Sequence, residues 1–412
     1  MVMKAVSVVL PAQVFKLFLS LALQIAIART LLPEGRGVYG ICVAIAAVLL
    51  VITYFGNEFG VRYLLVRKRI TTSQAFVYLV VTATIAYLCA IAASWALNSF
   101  TFWLTERVTL VQLTLAVSLA FSQLLVTQTN VFMTIGGRYW SSSIFSVGEE
   151  LIKLIAVITI LFHFPTVETA LLSAVMGNII VIIVAVMRFK LYKKDYISLR
   201  MRDVMFIYRY GISAFLLNIS SLTNAHLGTI VLSGLMPNQR VGLYNLAFAL
   251  ITKVQVFPDA LNRVLVPASM ANRDGQSRFE MVQLSVTALL AFSIVVIPLM
   301  GLLGTPVIIF LFGIEYIDVG PISVVLFAGF AFKIVGKPLE AHFNEIAGQP
   351  KVVAGIQIFS MVAMATLTFL GAFQFGLMGA AVGSALSMAL STIALFLAYA
   401  KATSRPVLGP IS

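Results

Sequence analysis

Residues 352–400 read VVAGIQIFSMVAMATLTFLGAFQFGLMGAAVGSALSMALSTIALFLAYA, without one Asp, Glu, Lys or Arg. A membrane helix needs about 20 mostly apolar residues, so this stretch is too long for one span and too apolar for water. Gly371, Gly376 and Gly379 mark the break, which predicts two spans, 352–373 and 377–399. Working back from there, ten more stretches have the same character: 8–28, 38–56, 75–97, 108–130, 144–164, 168–188, 207–233, 241–263, 281–303 and 318–338. Residues 281–314 are also uncharged, and Pro298, Gly301, Gly304 and Pro306 predict a kinked or interrupted helix there. Such a helix is tolerated where neighbouring protein satisfies the freed backbone. The strands of a membrane β-barrel would alternate polar and apolar residues. These stretches are apolar on every side, which excludes one. The expected fold class is an all-α polytopic membrane protein with about twelve transmembrane helices.

The whole composition agrees. Hydrophobic residues make up 60% of the 412-residue chain and charged residues 10%, against roughly a quarter charged in soluble domains. A net charge of +13 would suggest nucleic acid on a soluble protein. Here the basic residues lie between apolar runs and form no stripe on a soluble element, so nucleic acid is not expected as a partner. Lys and Arg instead mark cytoplasmic loops. With the N-terminus inside, most of the 28 Lys and Arg fall inside, and only Arg29, Arg36, Arg107 and Arg240 fall outside. Both termini are then cytoplasmic. No small-residue cleavage motif follows Lys4, so the first apolar run reads as a span rather than a leader.

The longest basic loop, 189–206, divides the chain into six spans plus six. The expected domains are an N-terminal six-helix bundle (1–188), a basic cytoplasmic linker (189–206), a C-terminal six-helix bundle (207–400) and a short cytoplasmic tail (401–412). Weak self-similarity supports the division. Pro33, Arg36, Gly37 and Tyr39 after span one are matched in order by Pro237, Arg240, Gly242 and Tyr244 after span seven. Both halves start inside, so the repeat is parallel. Repeats of this kind are typical of secondary transporters, whose substrate site lies between them.

Cys42 and Cys89 sit inside apolar runs and read as packing residues. His163, His226 and His342 lack ligand spacing, so no metal site is expected. The chemistry that remains is charge inside spans. Four lysines lie there: Lys16, Lys153, Lys253 and Lys333. A charge at the bilayer centre costs roughly 2.5–3.5 kcal/mol on insertion scales, which makes each a functional candidate.

Four stretches carry a family resemblance. Ala28-Arg29-Thr30-Leu31-Leu32-Pro33-Glu34-Gly35-Arg36-Gly37-Val38-Tyr39 resembles the AR-x-LGPEG-x-G-x-Y turn of the Wzx-type polysaccharide (oligosaccharide) flippases, although that family usually has glycine where Leu32 stands. Arg240-Val241-Gly242-Leu243-Tyr244, running on through Phe257-Pro258 to Val266-Pro267, is similar to its second-half turn. Leu311-Phe312-Gly313-Ile314-Glu315-Tyr316 and Gly376-Leu377-Met378-Gly379-Ala380-Ala381 are similar to its LFG-x-EY and GL-x-GAA motifs. They stand in the family's order over nearly the whole chain. The resemblance places the chain in the multidrug/oligosaccharidyl-lipid/polysaccharide exporter superfamily. It implies two six-helix bundles facing a central cavity in the bacterial inner membrane. It further implies flipping of a polyprenyl-diphosphate-linked oligosaccharide repeat unit for surface polysaccharide such as O-antigen or exopolysaccharide. The partners implied are that lipid-linked substrate, membrane lipids, and a polysaccharide polymerase with chain-length machinery.

For such a cargo, cations in a polar cavity would hold the diphosphate through charge-assisted hydrogen bonds. Lys16 and Lys253 have no acid at helical pairing distance and are equally balanced between cavity and structure. Lys153 follows Glu149 and Glu150 at i,i+4 and i,i+3, which favours a closed pair. Lys333 lies near an inner helix end, which favours snorkelling. Asn178, Asn218, Asn224, His226 and Gln255 are candidate sugar contacts, with helix–helix hydrogen bonding as the equal alternative. Arg29 and Glu34 are gate candidates against a headgroup role. Gly379, Gly383 and Ser387 read as a packing ladder. No cofactor is expected. A coupling ion would be H⁺ or Na⁺, with Glu58, Glu149 and Glu150 as its titratable candidates. Two competing functions stand beside the flippase. One is a multidrug or other lipid exporter of the same superfamily, for which intramembrane carboxylates would be natural. The other is an integral-membrane polymerase or glycosyltransferase, which the lack of an Asp-x-Asp site and of long outer loops disfavours.

Overall fold

The computed structural model describes residues 2–54, 56–100, 106–135, 139–189, 200–255, 275–346 and 349–403. The regular elements among them are helical. They are α1 (Val2–Tyr54), α2 (Asn57–Val66), α3 (Thr72–Phe100), α4 (Leu110–Ile135), α5 (Tyr139–Leu161), α6 (Val167–Phe189), α7 (Met201–Leu235), α8 (Asn238–Lys253), α9 (Gly275–Phe312), α10 (Val319–Ala341) and α11 (Pro350–Thr403). Seven are long and apolar enough to cross a membrane. Helix α5 is of similar length but carries three charges at its middle, Glu149, Glu150 and Lys153.

Helices α1 and α11 each contain two spans. In α1 the helical dihedrals fail at Leu32, at φ 58° and ψ 174°. Pro33 then opens the second half, a position where its missing N–H is no loss. In α11 they fail at Gly376, at φ 64° and ψ −146°. Both conformations belong to a region that is essentially reserved for glycine. The break in α11 falls where Gly371, Gly376 and Gly379 predict it. Leu32 is the position where the resembling family carries glycine. With α1 and α11 each counted as two and the short α2 set aside, twelve principal helices run through the described residues. Of the kink or interruption expected from Pro298, Gly301, Gly304 and Pro306, the helix shows no interruption. Helix α9 runs from Gly275 to Phe312 with both prolines inside it. Proline removes one backbone donor per site, a local loss that a long apolar helix absorbs.

Burial is inverted relative to a soluble protein. Ile179, Ile183 and Met187 of α6 and Leu299, Leu302 and Phe310 of α9 are exposed, while Arg36, Glu149 and Lys153 are buried. Side chains with no polar group face outward, which lipid permits and water penalises.

Packing divides the chain into two compact units, residues 1–245 with 311–315, and residues 246–310 with 316–412. Helix α7 and the start of α8 therefore pack with the N-terminal spans. In the first unit the second half of α1 crosses the start of α8 backbone to backbone. A Cβ on Gly37 would collide with the Asn238 carbonyl, and one on Gly242 with the Pro33 carbonyl. The two repeated turn motifs, around Pro33 and Pro237, thus meet each other. In the second unit the two halves of α11 pack as a hairpin. Gly379 lies on the Gly371 carbonyl and Gly383 on the Leu367 carbonyl, and the Thr368 and Ser384 hydroxyls bond at 2.9 Å.

Candidate functional site

Four helices of the first unit converge on one charged cluster. The i,i+3 and i,i+4 spacing on α5 puts Glu149, Glu150 and Lys153 on one helix face. Lys153 Nζ lies 2.8 Å from Glu149 Oε1 and 3.7 Å from Glu150 Oε1. Lys16, reaching in from the first half of α1, lies 3.2 Å from Glu149 Oε2 and 3.8 Å from Glu150 Oε1. From α4, Gln123 donates to Glu149 Oε1 at 2.8 Å and accepts from Lys153 at 3.1 Å. From α6, Asn178 donates to Ser122 Oγ at 3.0 Å. Gly177 leaves room for the Lys153 stem, since a Cβ there would lie 2.9 Å from Lys153 Cγ.

Two ammoniums and two carboxylates make the cluster neutral. Each isolated charge would cost several kcal/mol to bury, and mutual pairing offsets that cost. The four are not equally enclosed. The Lys16 side chain is 27% exposed, against 8% for Lys153, 11% for Glu150 and 3% for Glu149. Lys16 is therefore the accessible edge of the cluster, and Lys153 with Glu149 is its buried root.

The other sequence candidates are dispersed. Lys253 is half-buried in the last turn of α8, in the second unit. Lys333 is half-buried on α10 of the same unit, one turn before the Lys337–Glu340 pair at 3.0 Å. Of the four lysines, Lys16 and Lys153 share the carboxylates of one cluster. His226 on α7 and Gln255 after α8 are half-buried. The Asn218 and Asn224 side chains lie outside the described residues. Arg29 is exposed and donates Nε to the Leu311 carbonyl at 2.8 Å. Glu34, two residues past the break at Leu32, is exposed.

Three polar features escape sequence reasoning. Arg36, which the loop count places outside the membrane, is buried at 2% exposure; it donates to Gln24 and lies 5.3 Å over the Tyr39 ring. Its i,i+3 spacing to Tyr39 was the available signal. Gln123 joins the cluster from a span that carries no charge. At the far end of the unit, Arg62 of α2 donates to Gln128 of α4 at 3.3 Å, beside the buried Glu58. Burial pushes the Glu58 carboxyl above the usual carboxylate range, and its own backbone hydrogen bond and the Arg62 guanidinium oppose that shift. Among the described residues no His, Cys, Asp and Glu group has the makings of a metal site.

A chain whose described elements are helices, seven of them long and apolar enough to cross a membrane, with one charge cluster buried among them, is a polytopic membrane protein. Its fold is that of the MOP-superfamily transporters. It matches a multidrug resistance MATE family transporter of that superfamily, in an inward-facing conformation, with a TM-score of 0.74 at 14% identity over 94% of each chain. It matches the lipid II flippase MurJ, in an inward closed conformation, with a TM-score of 0.73 at 13% identity over 94% of this chain and 86% of that one. A Vibrio cholerae MATE transporter gives 0.67 at 13% identity over 99% and 98%. At such identities the likeness is one of fold. No curated protein sequence is significantly similar. The family described as "Polysaccharide biosynthesis protein" matches residues 26–321, and the chain belongs to it.

Proposed function

We propose that the chain is a flippase that moves a polyprenyl-diphosphate-linked oligosaccharide repeat unit from the inner to the outer leaflet of a bacterial inner membrane. It makes and breaks no bond and alternates access between the leaflets. Membership of a polysaccharide biosynthesis family and the fold shared with flippases and exporters support this reading. The observation that carries it is the buried charge cluster with Lys16 at its open edge. A diphosphate is a stronger multivalent acceptor than a single carboxylate. It competes with Glu149 and Glu150 for Lys16, while Lys153 keeps the two carboxylates from standing alone. A coupling proton or sodium ion would balance those carboxylates once Lys16 turns to substrate. Lys253 and Lys333 are proposed as further cationic contacts, and Asn178, Asn218, Asn224, His226 and Gln255 as sugar contacts. Arg29 and Glu34 are proposed at the gate. The reading includes cytoplasmic termini, bundles 1–188 and 207–400 joined at 189–206, and delivery to a polymerase with chain-length machinery.

One observation favours a second reading. Glu149 and Glu150 are buried carboxylates, which suit a cationic cargo and so an exporter of drugs. One experiment separates the two. A deletion strain, with and without a plasmid copy, is scored for surface glycan and for lipid-linked repeat units left on the inner leaflet. Loss of surface glycan with intact inner-leaflet repeats, restored by the plasmid, is expected. Unchanged glycan with increased drug sensitivity would replace the flippase by the exporter.

A further inference from the structure

The turn between α2 and α3 is built more rigidly than a topogenic charge run requires. Arg67, Lys68 and Arg69 are consecutive and all exposed. Lys68 has φ 55°. Lys68 N–H donates to the Leu65 carbonyl and Arg69 N–H to the Leu64 carbonyl, both at 3.0 Å. This pair of bonds is a Schellman cap, which normally takes glycine at the position Lys68 holds. On the other side, Thr71 and Gln74 cap α3 reciprocally, N–H to Oε1 at 3.0 Å and N–H to Oγ1 at 3.2 Å. Ile70, buried, anchors the turn between the two caps.

The start of α7 packs against α2 and adds to the same surface. Gly60 lies on the Ile207 backbone. Tyr63 packs, with tilted rings, against Phe206 at 5.5 Å and Tyr210 at 5.1 Å, and the Arg67 guanidinium lies 5.5 Å over the Tyr63 ring. Arg200, Arg202 and Arg209 are exposed on these first turns of α7. Among the described residues none of the six cations forms an ion pair, and Asp203 is the one carboxylate on those turns. Positive charge that serves only to orient a loop needs no fixed backbone. Here a lysine occupies a left-handed site that L side chains disfavour, and an aromatic cluster positions an arginine. Such outliers persist at ligand clamps.

We propose that Arg67, Lys68 and Arg69, with Arg200, Arg202 and Arg209, form a binding site for acidic phospholipid headgroups at the start of α3. Clusters of four to eight Lys and Arg beside a membrane span recognise anionic lipid in this way. Tyr208 and Tyr210, both exposed, supply the amphipathic rings that favour the headgroup level. The site does not depend on which cargo the protein carries.

The test uses the full chain in lipid nanodiscs of phosphatidylcholine doped with phosphatidylglycerol, with co-purified lipid quantified by native mass spectrometry. Lys68→Gly removes one charge and relieves the left-handed residue, so it keeps the turn folded. The triple variant Arg67→Gln, Lys68→Gly, Arg69→Gln removes three charges. Retention of phosphatidylglycerol is expected to fall about fivefold per cation removed, from the energy per basic residue near an anionic surface, and to weaken with salt. Thermal melting of Lys68→Gly at or above that of the parent shows that the turn is intact. Equal retention of phosphatidylglycerol by parent and triple variant would overturn the proposal. So would retention of a polyprenyl diphosphate without retention of phosphatidylglycerol, which would make the patch a loading point for cargo.

Discussion

Replacing Lys153 by methionine tests the reading of the four-charge cluster most directly. The ammonium contributes contacts of 2.8 and 3.7 Å to the two carboxylates and one of 3.1 Å to Gln123. Without it Glu149 and Glu150 share Lys16 alone, and the cluster carries a buried net charge of minus one. Breaking a buried pair by removing one partner costs about 3–5 kcal/mol, and Lys153→Met should lose that much. Glu149→Gln alone should also destabilise, since it leaves an excess ammonium. The double variant is neutral again, with Lys16 facing Glu150 at 3.8 Å. Its loss should fall short of the sum of the single losses by about 2–3 kcal/mol, the upper range for directly coupled residues. Unfolding free energies from denaturant titration in mixed micelles, combined in a double-mutant cycle, measure this. Additivity within roughly 0.5 kcal/mol would show that the residues do not act as one neutral unit.

Lys16→Ala should separate transport from stability. Lys16 is partly exposed and Lys153 still holds both carboxylates, so about 1 kcal/mol is expected from unfolding, while surface glycan is lost; Lys16→Arg should retain more export than Lys16→Ala, and normal glycan in Lys16→Ala would remove Lys16 from the site. The two broken helices predict opposite signs. Gly376→Ala should cost about 1–3 kcal/mol and Leu32→Gly should raise the melting temperature, because both positions hold a backbone that favours glycine; a melting scan of the two variants decides. Glu58, its pKa raised by burial, should make stability depend on pH. Its neutral form is the one the folded state favours, so its contribution is present below the unfolded carboxylate pKa and is lost as pH rises through the folded one. The melting temperature of the parent relative to Glu58→Gln should therefore rise on acidification, and a difference independent of pH would refute it.

Much of the fold was legible because lipid imposes one rule on every span. Uninterrupted apolar runs of sufficient length must be helices, so the spans, the hairpin inside 352–400 and its break near Gly376 could be read from composition and glycine alone. Leu32 was legible in a different way, as a leucine in a turn that resembling sequences build with glycine. In α9 proline left a kink and an interruption both open, because it signals a lost donor but not whether the helix can carry on without it. Of the site, Lys153 with Glu149 and Glu150 was visible from i,i+3 and i,i+4 spacing, which is a property of one helix.

What the sequence by itself determined was therefore local: membrane class, helix content, the placement of breaks, and the pairing of charges within α5. What only the tertiary structure decided was which helices meet. Lys16 and Glu149 are 133 residues apart, and no periodicity links them. Gln123 and Asn178 reach the cluster from two further helices, and Arg36 is buried from a turn whose residue types read as a loop. Charges in a low-dielectric interior are stable only with partners in three dimensions, and that pairing is a property of packing.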